Sequence, residues 1–108
     1  MTYIPERGDV IWLNFYPQVN HKSERRAVLI LSPKAYNDAS GLAIVCPIVT
    51  RIKGYPFEVS LPEGLGITGV ILADHAHSVD WIIGGATFIG QATELVVAEV
   101  RGKISVLI

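Results

Sequence analysis

What most constrains this chain is a series of short runs rich in Val, Ile and Leu, each cut off by proline, glycine or a polar cluster. Runs of that length and composition read as strands. The pattern predicts strands over 8–17, 27–31, 42–50, 57–61, 69–80 and 88–91. Pro17 stops the first of these, because proline cannot donate to a ladder. Residues 18–25 read as a polar loop, Lys53-Gly-Tyr-Pro as a turn and 62–66 as another loop. Pro33 to Gly41 begins with proline at a first-turn position and ends on glycine, the pattern of a short helix. Only the C-terminus changes period. Val96, Val100, Ile104 and Leu107 recur at helical spacing, and Thr93-Glu94 suits the start of that helix, with Gly102 weakening it. The expected class is mainly β (α+β): a small, strongly bent β-barrel with short helices and a C-terminal helix packed on it. At 108 residues the length prior gives one domain, 1–108.

Composition narrows the function. Half of the residues are hydrophobic, so some apolar surface is available for a second subunit. The net charge of −1 argues against a strongly basic nucleic-acid binder. The distribution is less neutral than the total. From Lys22 to Lys53 there are six cations against two anions, while the rest of the chain holds three cations and eight anions. A basic face on a weakly acidic body can bind a short stretch of polyanion. Cys46 is the one cysteine. It excludes an intrachain disulfide and offers no zinc spacing, so it reads as a small core hydrophobe. The N-terminal residues lack the apolar core of a signal peptide, and no run reaches membrane-spanning length, so the expected location is cytoplasmic.

No Gly-rich phosphate loop, Ser/His/Asp signature or metal-ligand cluster is present in the sequence. His75 and His77 alternate on the strand expected over 69–80, which points both to one face, but no third ligand lies nearby. The residues left to carry chemistry are Arg25, Arg26 and Thr50, at strand ends where loops place functional groups. A guanidinium grips phosphate through its planar fork of donors. A threonine hydroxyl beside it can donate to a phosphoryl oxygen. Together they suit attack of a ribose 2′-hydroxyl on its own phosphate without a metal. On residue types alone the plainer account is the stronger: Arg25 or Arg26 pairs with Glu24, and Thr50 ends a strand.

A more specific signal comes from a series of motifs in order. They are Gly8-Asp-Val-Ile-Trp with Phe15 and Pro17, Arg26 before Val-Leu-Ile-Leu-Ser-Pro, Cys46-Pro-Ile-Val-Thr50, Lys53-Gly-Tyr-Pro-Phe-Glu-Val59, Gly69-Val-Ile-Leu-Ala-Asp, Ser78-Val-Asp-Trp81 and Lys103-Ile-Ser-Val-Leu-Ile. From about Gly8 to the end the chain resembles the MazF/PemK family of toxin–antitoxin toxins. The resemblance implies an SH3-like barrel of the MazF/PemK (CcdB-like) type, acting as a homodimer. It implies a metal-independent endoribonuclease, with no cofactor, that cuts single-stranded RNA at a short sequence. The ends would be a 2′,3′-cyclic phosphate and a 5′-hydroxyl, and the outcome arrested translation. A cognate antitoxin protein would block the RNA groove. Carried over by position, Arg26 falls on the catalytic arginine and Thr50 on the catalytic threonine. Arg25 takes the catalytic role instead if the loop has gained a residue. Glu24, His21 and Ser32 are the expected supporting residues. Phe15, Tyr16, Arg51, Lys53, His75 and His77 are the expected RNA contacts.

The chain also departs from that pattern. Ala27 stands where the family has proline, and the loop before it lacks the usual Gly-x-Glu-Gln. His75 and His77 stand where glutamine and a basic residue are common. The family's basic residues after Trp81 are replaced by 82–90, which includes Ile82, Ile83, Phe88 and Ile89. Those four serve a subunit or antitoxin contact or the core, and the sequence weighs equally for each. Losing the cations flattens the salt dependence of RNA binding. Arginine stays protonated, so solvent or His21 is expected to move protons. The alternative function is a catalytically weakened member that acts mainly by binding an antitoxin or other protein. The gyrase-poisoning relatives end in Trp-Gly-Ile, whereas this chain ends Ser-Val-Leu-Ile.

Overall fold

A computed structural model of the protein describes residues 2–15 and 24–108. Tyr16 and His21 lie outside the described residues. The elements are β1 (Asp9–Phe15), β2 (Glu24–Ile30), α1 (Lys34–Ser40), β3 (Leu42–Val49), β4 (Glu58–Ser60), β5 (Val70–Leu72), a 3₁₀ turn (Ala73–His75), β6 (His77–Asp80), β7 (Thr87–Gln91) and α2 (Glu94–Ser105). The strands join in the order β4-β5-β3-β2-β1-β7, and β6 also pairs with β3. Each pairing is antiparallel. Among the described residues β4 and β7 do not pair, so the expected barrel is an open one.

The apolar runs are continuous rather than alternating because the sheet is covered on both faces. Val10, Leu29, Leu31 and Cys46 pack on one side with Val59, Ile71, Val97 and Val100. Ile11, Leu13, Val28, Ile30 and Val45 pack on the other with Trp81. The first side is closed by α2. Its N-cap is Thr93, whose Oγ1 accepts from the Val96 amide at 3.3 Å. Val97 and Val100 are its buried residues, with Val96 and Ile104 partly buried beside them, while Leu107 lies beyond the helix and is exposed. The second side is closed by the segment around Tyr3 and Ile4 and by Trp81.

α1 starts after Pro33 and stops at Gly41, whose φ of 72° gives the left-handed cap that sends its amide to the Asn37 carbonyl. Asn37 is fully buried. Its Oδ1 accepts from Ser32 Oγ at 2.5 Å, its Nδ2 donates to the Pro5 and Ser32 carbonyls, and its own carbonyl accepts from Trp81 Nε1 at 3.0 Å. Burying an amide is tolerable only when its donors and acceptors are met, as here.

The strand expected over 69–80 is in fact broken. β5 pairs with the far end of β3 (Ile48 with Ile71), and β6 with its near end (Ile44 with Ser78). Between these ladders the register slips by three residues, the three of the 3₁₀ turn. His75 sits in that turn and His77 begins β6, so they do not alternate on one strand. Of the four residues left open after Trp81, Ile82, Ile83 and Phe88 are exposed, whereas Ile89 packs against the α2 side of the core. Cys46 is fully buried, and burial followed by the charge of Asp74 pushes its thiol up to about 12.

Candidate active site

β2 changes character halfway. Glu24, Arg25 and Arg26 are exposed, and Ala27 to Ile30 are buried. The charged half protrudes past its pairing with β3, which runs from Val28–Pro47 to Ile30–Val45. Continued outward, that register sets Arg25 across from Thr50 and Arg26 across from Val49. Residues directly opposite in an antiparallel pair share a face. Arg25 and Thr50 therefore leave one face, and Arg26 the other.

Each guanidinium is held by an aromatic ring on β1. Arg25 Cζ lies 4.4 Å from the Trp12 ring centroid, and Arg26 Cζ lies 5.2 Å from that of Phe15. Such stacking leaves the N–H edges free to bind an oxyanion. Arg26 Nη2 also donates to Glu24 Oε2 at 2.6 Å. Both side chains of that pair are more than half exposed (54% and 56%), so it is worth about 0–1 kcal/mol of stability. The plain expectation that one arginine pairs with Glu24 holds for Arg26.

Glu24, Arg25, Arg26 and Thr50 all line one cavity of about 560 Å³, whose wall is completed by Trp12, Ile67 and Thr68. A second cavity, of about 510 Å³, opens on the opposite face and is lined by Phe15, Arg26, His77 and Asp80. Arg26 is common to both. Gly69 holds the end of β3 near Thr50 in place. Its φ is 142°, and a Cβ there would lie 2.3 Å from the Val49 carbonyl oxygen.

The other expected site residues are spread more widely. Ser32 is buried in the Asn37 network, where its Oγ also accepts from the Ile44 amide at 2.8 Å, and it lines neither cavity. Arg51 and Lys53 are exposed on the loop that follows Thr50. Glu58 braces that loop, its two carboxylate oxygens accepting from the Lys53 and Gly54 amides at 2.9 and 2.8 Å. His75 lies 3.8 Å from Asp74 on the 3₁₀ turn. His77 Nδ1 bonds the His75 carbonyl at 2.9 Å. Trp12, Thr68 and Asp80 were not anticipated. Trp12 could have been found by pairing the first two expected strands, but Thr68 and Asp80 come from parts of the chain that only the bent sheet brings near. No group of three metal-ligating side chains exists among the described residues. No helix there is long and apolar enough to cross a membrane.

Comparison with known proteins agrees with this architecture. Endoribonuclease toxin MazF of Escherichia coli (strain K12) is 39% identical over 107 residues, covering 98% of this chain and 96% of that one. Endoribonuclease PemK of Escherichia coli is 32% identical over 111 residues, covering 95% and 81%. A crystal structure of MazE-MazF from Deinococcus radiodurans superposes with a TM-score of 0.94 at 50% identity, covering 98% and 96%. Residues 6–108 match the family described as PemK-like, MazF-like toxin of type II toxin-antitoxin system. With a match of that extent, and a sheet, two helices and an arginine-lined cavity to go with it, the chain belongs to the MazF/PemK family of toxins.

Proposed function

We propose that this chain is the toxin of a type II toxin–antitoxin pair, an endoribonuclease that cuts single-stranded RNA where β2 and β3 fray apart. The observation that carries the site is the convergence of Arg25, Arg26 and Thr50 on one cavity. The scissile phosphate lies at Arg26, the side chain shared by both cavities, with neighbouring nucleotides on either side. Arg26 and Arg25 offset the charge that builds on the non-bridging oxygens as the 2′-oxygen attacks, and the Thr50 hydroxyl donates to one of them. Two fixed guanidiniums supply the positive charge that a divalent ion would otherwise supply, so cleavage proceeds in a chelator. The products carry a 2′,3′-cyclic phosphate and a 5′-hydroxyl. Phe15 offers a ring on which a base can stack.

Relatives with this fold have been crystallised as MazE-MazF complexes. A cognate antitoxin of that kind is the protein partner proposed here, with a homodimer as the toxin's own assembly. The test is cleavage of a mixed-sequence single-stranded RNA in excess EDTA, with the ends mapped chemically. Cuts at one short sequence are expected, reduced about 10²–10³-fold in Arg26→Ala and in Thr50→Ala. A second reading has one specific observation behind it. The residue across from Arg26 is Val49, which has no hydroxyl, and Arg26 is tied to Glu24. A weakened nuclease that acts chiefly by binding its antitoxin follows from that, and no cleavage by a well-folded protein would select it.

A further inference from the structure

We propose that the cavity of about 560 Å³ is a nucleobase subsite, in which an unstacked base beside the cut lies flat on the Arg25 guanidinium and Thr68 reads its polar edge. The proposal rests on the reading above that Arg26 holds the scissile phosphate. Arg25 is its chain neighbour and lines the same cavity, so the subsite takes the nucleotide next to that phosphate.

Three observations lead to it. The first is the platform. A guanidinium is flat, with two faces and an edge of donors. One face of Arg25 is taken by Trp12, whose ring centroid lies 4.4 Å from Cζ. The side chain is exposed and lines the cavity, which leaves the second face to an incoming group. Trp12 fixes the plane, and a base in the cavity completes a three-layer stack. Arginine planes and aromatic rings are the usual platforms for unpaired RNA bases. The donor edge of Arg25 remains for phosphate.

The second is the lining. Pro47, Ile48 and Ile67 give the cavity apolar walls, and its volume is that of a small-ligand pocket. Phosphate by itself has no use for apolar walls, whereas the faces of a base do.

The third is the way Thr68 is held. Continued from the Val49–Val70 pair, the ladder between β3 and β5 sets Gly69 across from Thr50. Gly69 lies so near the Val49 carbonyl that no side chain fits there. Its own carbonyl accepts from the Leu61 amide at 3.1 Å. Further back, Ile67 and Leu65 are partly buried against the α2 side of the core. A Cβ at Gly90 would lie 2.8 Å from Leu65 Cδ2, so β7 gives the loop a close seat. Thr68 is therefore a fixed and exposed hydroxyl on the wall that Arg25 and Thr50 share. Platform and hydroxyls are reached from one side, without crossing the sheet. The reading above gives the Thr50 hydroxyl to a phosphoryl oxygen, which leaves Thr68, able to donate or accept, for the edge of the base.

The experiment first maps the cuts made in a mixed-sequence single-stranded RNA in EDTA. It then measures kcat and KM on a short RNA with one cut site, either intact or with one nucleotide beside the cut made abasic. The proteins are the wild type, Arg25→Lys, Thr68→Val and Thr68→Ser. Lysine keeps the charge and loses the plane, valine keeps the shape and loses the hydroxyl, and serine keeps the hydroxyl. Both positions are exposed, so the variants should melt with the wild type. For the wild type, removing the base on one side of the cut should raise KM about 5–100-fold, the worth of one stacked base. Arg25→Lys should show a similar rise on the intact RNA and no further rise on the abasic one, since one contact cannot be lost twice. Thr68→Val should still cleave, with the base preference at that position weakened about 3–10-fold, and Thr68→Ser should restore it. An unchanged preference in Thr68→Val overturns the edge reader. Equal abasic penalties in the wild type and Arg25→Lys, or none in either, overturn the stack. Both results together give the cavity to a protein contact and leave the nuclease standing. No cleavage by the wild type overturns the nuclease and the subsite with it.

Discussion

The two halves of β2 obey different rules although they share one backbone. From Ala27 to Ile30 each side chain is buried, whichever face it takes. From Glu24 to Arg26 each is exposed. In the buried half alternation has no energetic consequence for polarity, because both faces of the sheet are covered by apolar atoms. In the open half alternation decides which neighbours each arginine meets: Arg25 shares a face with Trp12 and Thr50, and Arg26 shares one with Phe15 and His77. The candidate site thus lies where a well-anchored strand outruns its cover. The anchored half holds the geometry, and the free half presents charge at little stability cost.

That division can be broken from either side. Leu29→Ala removes a fully buried side chain from the α2 side of the core. It should cost about 2–5 kcal/mol, read as a lower midpoint in urea with the m-value unchanged. Arg26→Ala should behave in the opposite way. Its melting temperature should stay near wild type, since the Glu24 contact is worth about 0–1 kcal/mol, while cleavage falls by about 2.7–4 kcal/mol of barrier. If Arg26→Ala unfolds the protein, the contrast between the halves is wrong. Glu24→Gln sharpens the comparison further. Losing the exposed ion pair should change stability by less than about 1 kcal/mol and should tighten RNA binding at low salt, because Arg26 then meets phosphate unneutralised. A fluorescence binding titration at two salt concentrations reads this out. The smallest effect lies far from the site. Gly102 is in the last turn of α2, and a Cβ there meets nothing within 4 Å. Gly102→Ala should add about 0.5–1 kcal/mol by restricting the unfolded chain and should leave cleavage unchanged.

Much of this was legible in the sequence, for local reasons. Short β-branched runs form strands wherever they lie, and Pro33 with Gly41, or Thr93 with Glu94, mark helix ends through hydrogen bonds made within a few residues. The family signature in Lys53-Gly-Tyr-Pro-Phe-Glu-Val59 has a local cause too, since Glu58 folds back on the amides of Lys53 and Gly54. The candidate arginines and Thr50 stood out because charge and hydroxyl at strand ends have no packing role. The place of Ser32 is not legible for the complementary reason. A serine beside a proline looks available in one dimension, but its hydroxyl is taken by Asn37 and by the Ile44 amide.

By itself, then, the sequence determined the strand and helix content, the buried cysteine and the family, because each depends on residue type and near neighbours. Only the tertiary structure decided which arginine shares a face with Thr50. It also decided that the run 69–80 breaks at a three-residue slip, that Ile82, Ile83 and Phe88 stay exposed while Ile89 packs, and that His77 opens onto the cavity Arg26 lines. Each of these turns on strand register and sheet curvature. Both are set by contacts between residues distant in the chain, and a shift of one residue would send every side chain to the opposite face.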